Sequence, residues 1–229
     1  MDWWAYEPPA SASWGWKAIC RVKNKFRNAY TGNRWQNGDK GYTIKAGYDW
    51  LQGQQLRVPW HYWVWNSLNI PKHSFIAWLA MLERLKTKER LFKSGVCTDK
   101  ACLFCDVGED SCLHIFFRCS YSATICDQIL RWMNIKIAGY ENMFTTWKKW
   151  GRIFRRKKLQ KVSYAVLTAL VYHIWKSRNH TLWNAAVQYP RCVVEHIQRD
   201  ICSRIKSSVD IHCNIEDRNW INELVIRCS

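Results

Sequence analysis

The chain has 229 residues, 48% of them hydrophobic with 16 Trp, and carries 35 Lys plus Arg against 18 Asp plus Glu, a formal charge of +17. That supplies a core for one large domain or two small ones and favours a polyanionic partner. The eleven cysteines are an odd number, and "MDWWAYEPPASASW" lacks the basic n-region and apolar core of a secretory leader, so a disulfide framework is disfavoured and a reducing location, nucleus or cytoplasm, is expected.

Ser13 precedes "WGWKAICRVKNKF", where Trp16, Ile19 or Cys20, Lys23 and Phe26 recur at helical spacing. This predicts an N-capped helix from about 14 to 28. Asn37-Gly38-Asp39-Lys40-Gly41 follows as a turn signal, with Tyr42, Thr43 and Ile44 suited to a second strand, and a β-hairpin is expected near 33–45. A short helix from Ala46 should end at Gly53. Pro59 and Pro71 sit where proline opens helices. In the second of these, Phe75, Trp78 or Leu79, Leu82 and Leu85 form the expected apolar stripe. Thr87 and Gly95 bracket another short helix. Beyond the cysteine-rich segment, helices are expected near 121–133, 142–158, 161–187, 190–207 and 217–226. The most apolar stretch, "VSYAVLTALVYHIW" at 162–175, falls short of the roughly 20 residues that cross a bilayer. It reads as a core helix, and no membrane association is expected.

Charge is uneven. No acid lies between Glu141 and Glu195, while Lys148, Lys149, Arg152, Arg155, Arg156, Lys157, Lys158 and Lys161 crowd together. On a helix, Trp147, Trp150 and Phe154 would share one face and Lys148, Arg152 and Arg155 the next, as in a phosphate-binding helix. A solvated charge run, an import signal and an anionic-surface patch are the alternatives. Gly151 would weaken such a helix by about 1 kcal/mol.

Cys102, Cys105, His114 and Cys119 form C-x2-C-x8-H-x4-C. The C-x2-C spacing lets a tight turn present two thiolates to one ion, and three thiolates with one imidazole fill a tetrahedral Zn²⁺, leaving no place for water. Such a site is structural. The same thiols could instead be small core hydrophobes, or one could be a Cys-His nucleophile, although no orienting group is evident. Cys97 and Cys112 are reserve ligands. The remaining histidines, His73 and His173 among them, read as ordinary surface or core residues. No Asp-Asp or Y-x-D-D pair is present, and the acids are too sparse for an RNase H cluster, so no polymerase, endonuclease or RNase H activity is expected.

The run from "VPWHYWVWNSLNIPKHSFIAWLA" through "RLKTKERL", the C-x2-C pair and "HIFFRC" resembles the zinc-binding domain that follows the reverse transcriptase in plant LINE-type non-LTR retrotransposons. Upstream, "SWGWKAI" and "YTIKAGYDWLQG" are similar to the segment preceding it. The likeness is tight over about 13–135 and loose beyond. It implies zinc on Cys102, Cys105, His114 and Cys119, and a part in handling template RNA or target DNA. The family's Glu before the histidine is represented here by Glu109 or Asp110.

The expected architecture is mainly α: a segment 1–58 with helix, hairpin and short helix, a zinc-binding domain at 59–135 and a basic helical tail at 136–229. The expected function is a non-catalytic zinc-dependent module binding RNA or DNA. The competing expectation is a zinc-stabilised scaffold docking a reverse transcriptase domain absent from this chain.

Overall fold

A computed structural model describes residues 4–31, 43–53, 58–105, 107–137, 142–208 and 214–228. The chain divides into two compact units, Met1–Arg57 and Val58–Ser229.

In the first unit, helix α1 spans Trp14–Thr31. It is capped as expected: Ser13 Oγ accepts from the Trp16 amide at 3.2 Å, and the Ser13 carbonyl accepts from Lys17 at 3.0 Å. Helix α2 spans Ile44–Gln52 and stops at Gly53, whose φ of +66° suits glycine. Among the described residues no part of the expected hairpin is found. Most of 33–45 lies outside the described residues, and Ile44 opens α2 instead of ending a strand. The Gly47 amide already bonds the Thr43 carbonyl at 3.1 Å in helical register. Among the described residues there is no sheet, and only an isolated antiparallel bridge pairs Ala101 with Glu109.

The second unit holds helices α3 (His61–Val64), α4 (Pro71–Met81), α5 (Lys88–Lys93), α6 (Ser120–Met133), α7 (Met143–Arg152), α8 (Lys157–Asn184), α9 (Pro190–Ser208) and α10 (Ile215–Ile226). Local chemistry sets their ends. Pro71 opens α4, the Thr87 side chain accepts from the Arg90 amide ahead of α5, and Asn134 closes α6 in the left-handed region. Asn142 and Thr145 cap each other's backbone to start α7.

The basic C-terminal region is the centre of this unit and not a tail. Helix α8 has 28 residues, about 42 Å at 1.5 Å per residue. Every residue from Val162 to Val171 is buried, as expected of a helix apolar on all sides. Around it pack α3, α4, α7 and α9. No described helix is long and apolar enough to cross a membrane.

Two packing details depart from the sequence pattern. Of the expected stripe, Phe75 and Leu82 are exposed, Trp78 and Leu79 are half-buried, and Leu85, beyond the end of α4, is buried. The buried face of α4 is His73, Ser74, Ala77 and Ala80, small side chains for the most part, which allow close approach to α8. In α7, Gly151 is buried, and a Cβ there would lie 1.5 Å from the Tyr164 hydroxyl of α8. The glycine marks a tight helix crossing, and α7 continues through it to Arg152.

Candidate metal centre

The cysteine-rich segment is folded by its own backbone. The Ala101–Glu109 bridge is extended by bonds from the Cys102 amide to the Gly108 carbonyl and from Asp110 to Lys100, each 2.7 Å. These close a small loop with Cys102 and Cys105 in its turn, where the Phe104 amide donates to Cys102 Sγ at 3.4 Å. His114–Arg118 then forms a π-helical turn with Ile115, Phe116 and Phe117 buried. The Cys119 amide donates to the His114 carbonyl at 2.8 Å, so the wider π turn brings the two ends of H-x4-C to one place. Cys119 leads directly into α6.

Donor atoms of Cys102, Cys105, His114 and Cys119 all lie within 4.8 Å of one another. Cys102 Sγ and Cys119 Sγ are 3.9 Å apart. Cys105 Sγ and His114 Nε2 are 3.3 Å apart. On a tetrahedral ion with bonds of about 2.3 Å to sulfur and 2.0 Å to nitrogen, such donors stand about 3.5–3.8 Å apart. The geometry and the soft donor set therefore fit a metal ion. Cys97 and Cys112 are not in the group: the Cys97 thiol donates to the Lys88 carbonyl, and burial pushes the Cys112 thiol up to about 12.

The electrostatics suit thiolate formation at one end. Cys102 is lowered to about 5, chiefly by its hydrogen bond with Cys119 and against its own burial, with help from the amides of Phe104 and Cys105. Cys119 is raised by that same bond and by burial. A divalent cation placed between the two sulfurs would favour the thiolate form of both.

Neighbouring residues fix this arrangement. Gly108 leaves space that the His114 ring fills, since a Cβ would lie 2.3 Å from it. Phe104 stacks on Tyr121 with ring centroids 4.2 Å apart, and the Tyr121 hydroxyl pairs with Ser177 of α8 at 2.9 Å. Asp110 forms a buried ion pair with Arg178, also of α8. No sequence spacing links positions 110 and 178. The family resemblance marks Asp110 only as a small departure.

The basic residues have a different fate from the expected single helix. Lys148, Lys149 and Arg152 belong to the end of α7, Arg155 and Arg156 to the connection, and Lys157 and Lys158 to the start of α8. Trp147 and Trp150 are buried and Phe154 packs edge-on against Trp220, so the aromatic face is core. Lys148, Arg152, Arg155, Lys157 and Lys158 are exposed. Arg156 is engaged by Asp217 of α10 at 3.0 Å and by Glu216.

No curated protein matches the chain. No solved structure matches it. Residues 42–125 match a family model described as zinc-binding in reverse transcriptase, a span that contains all four donors and ends inside α6.

Proposed function

We propose that the protein holds one structural Zn²⁺ on Cys102, Cys105, His114 and Cys119, and that it is a non-catalytic module derived from a plant LINE-type retrotransposon that contacts RNA or DNA. The observation that carries the zinc reading is the group of three thiols and one imidazole gathered within 4.8 Å. Soft thiolates with imidazole select zinc, and four protein ligands leave no open position for chemistry. The zinc would supply folding free energy, and the residues around it hold the loop against α8. The zinc-binding segment at 59–135 and the helices of 136–229 then form one unit around α8, and 1–58 precedes it in the chain.

Nucleic-acid contact is supported by the exposed Lys148, Arg152, Arg155, Lys157 and Lys158 around the α7–α8 junction, in a stretch free of acids from 142 to 194. Phosphate neutralisation at four or five such groups gives a log-affinity slope against log salt of about −3 to −4 for single strands. The test has two arms. Metal analysis should return one thiolate-bound zinc that Cys102→Ser removes. Anisotropy with single-stranded RNA and DNA should show that steep salt dependence. A well-folded chain with no thiolate-bound metal overturns the first reading, and affinity independent of salt overturns the second in favour of apolar docking to a protein.

A further inference from the structure

A second donor cluster, sharing no residue with the first, lies in the second unit. It joins three helices: His73 from α4, His173 from α8 and Asp200 from α9. Asp200 Oδ2 lies 3.3 Å from His73 Nε2 and 2.9 Å from His173 Nε2. One donor atom of each residue lies within 4.8 Å of the others.

His73 is the anomalous member. It is fully buried, yet neither ring nitrogen has a hydrogen-bond partner, and its contact with Asp200 lacks hydrogen-bond geometry. An unpaired buried polar atom is costly unless a ligand satisfies it. The ring is held by Tyr172, with centroids 4.3 Å apart, and by its place on the close-packed face of α4. Burial keeps His73 neutral, its pKa lowered to about 4, and burial lowers His173 as well. His173 Nε2 and Asp200 Oδ2 form a hydrogen bond in the metal-free chain, so an ion entering between them would displace that proton.

We propose that His73, His173 and Asp200 form a second metal site, for a divalent first-row transition ion, bound through the two imidazole Nε2 atoms and Asp200 Oδ2. Three donors about 2.1 Å from an ion stand about 3.0 Å apart at right angles and about 3.4 Å apart in a tetrahedron. The two measured separations fall at those values. Two imidazoles and a carboxylate are a borderline donor set of the kind zinc and ferrous iron accept with positions left over. The Asp200 side chain is 31% exposed, so water can reach the ion and complete its shell. The nearby charged groups are Lys72 and Lys176, on the same two helices, with Asp200 as the carboxylate between the two imidazoles; the His196 ring stacks on His173 at 5.9 Å. This site stands on residues separate from the thiolates and does not rest on the nucleic-acid reading.

The test is cobalt(II) titration of the metal-free full-length chain, with total metal quantified beside it. Two equivalents should bind, one producing thiolate-to-metal charge-transfer absorption and one producing only ligand-field bands. Asp200→Asn and His173→Gln should each remove the second equivalent while keeping the charge-transfer band, and Cys102→Ser should do the reverse. One equivalent in the unmodified chain, saturating with the charge-transfer band, overturns the proposal whatever the variants do. So does a second equivalent that persists in both Asp200→Asn and His173→Gln, which would be adventitious histidine binding.

Discussion

Asp110 and Arg178 form an ion pair sealed from solvent. Asp110 Oδ2 accepts from Arg178 Nε at 3.0 Å and from Nη2 at 2.5 Å, with side-chain exposures of 0% and 2%. The guanidinium also lies 5.1 Å over the Trp175 ring and donates to Asn179 at 3.0 Å. A residue eight positions after Cys102 is thereby fastened to the central helix, so the cysteine loop and α8 hold one another in place.

Breaking this pair from one side strands a buried charge. Asp110→Leu or Arg178→Met should each lower unfolding free energy by about 3–5 kcal/mol, and the apolar double variant Asp110→Leu/Arg178→Met should lose less than the sum. Denaturant titration of the zinc-loaded chain measures this, and additive losses would contradict the coupling.

Gly108→Ala should weaken metal binding without touching a ligand. The new methyl would occupy the space of the His114 ring and turn Nε2 away from Cys105. Displacing an oriented ligand in this way is expected to reduce affinity by about 10–100-fold. Chelator competition against the unmodified chain is the measurement.

Alkaline stability should fall in a definable window. Burial raises Tyr164 from 10.0 to about 12 and raises Cys126 from 9.0 to about 12. In each case the unfolded chain loses its proton first, so stability is complete below the unfolded value and declines as pH rises toward 12, by about 1.4 kcal/mol per pH unit per group. Tyr164→Phe should remove the part that begins near pH 10, which denaturation midpoints at stepped pH would resolve.

The basic residues should separate into two classes. Arg155→Gln with Lys157→Gln should make the salt slope of single-stranded RNA or DNA binding shallower by about 1.4. Arg156→Gln should leave that slope nearly unchanged and lower the melting temperature, because its guanidinium is committed to Asp217 and Glu216. Equal slope changes for both variants would refute the division.

How much of this the sequence reveals follows from the range of each interaction. Ser13, Thr87, Pro71 and Gly53 act within a few residues, and each marks a helix end where local chemistry predicts one. The C-x2-C and H-x4-C spacings are also short, so the donor group is legible. What spacing cannot reveal depends on helices crossing. Asp110 meets Arg178, and His73 meets Asp200, only after α4, α8 and α9 have packed. Gly151 misleads for the same reason: propensity counts a glycine as helix weakness, whereas contact with Tyr164 makes it a necessity. The basic run reads as one face because periodicity does not register the break between Arg152 and Lys157.

The π turn at His114–Arg118 makes this stretch tolerant of changed side chains but intolerant of changed length. Replacing Phe116 by another large apolar residue preserves the spacing between imidazole and final thiol. Deleting one residue would twist everything after it by about 100°, swinging Tyr121, Ile125 and Ile129 out toward solvent. Over these few positions natural variation should therefore be permissive in identity and strict in number.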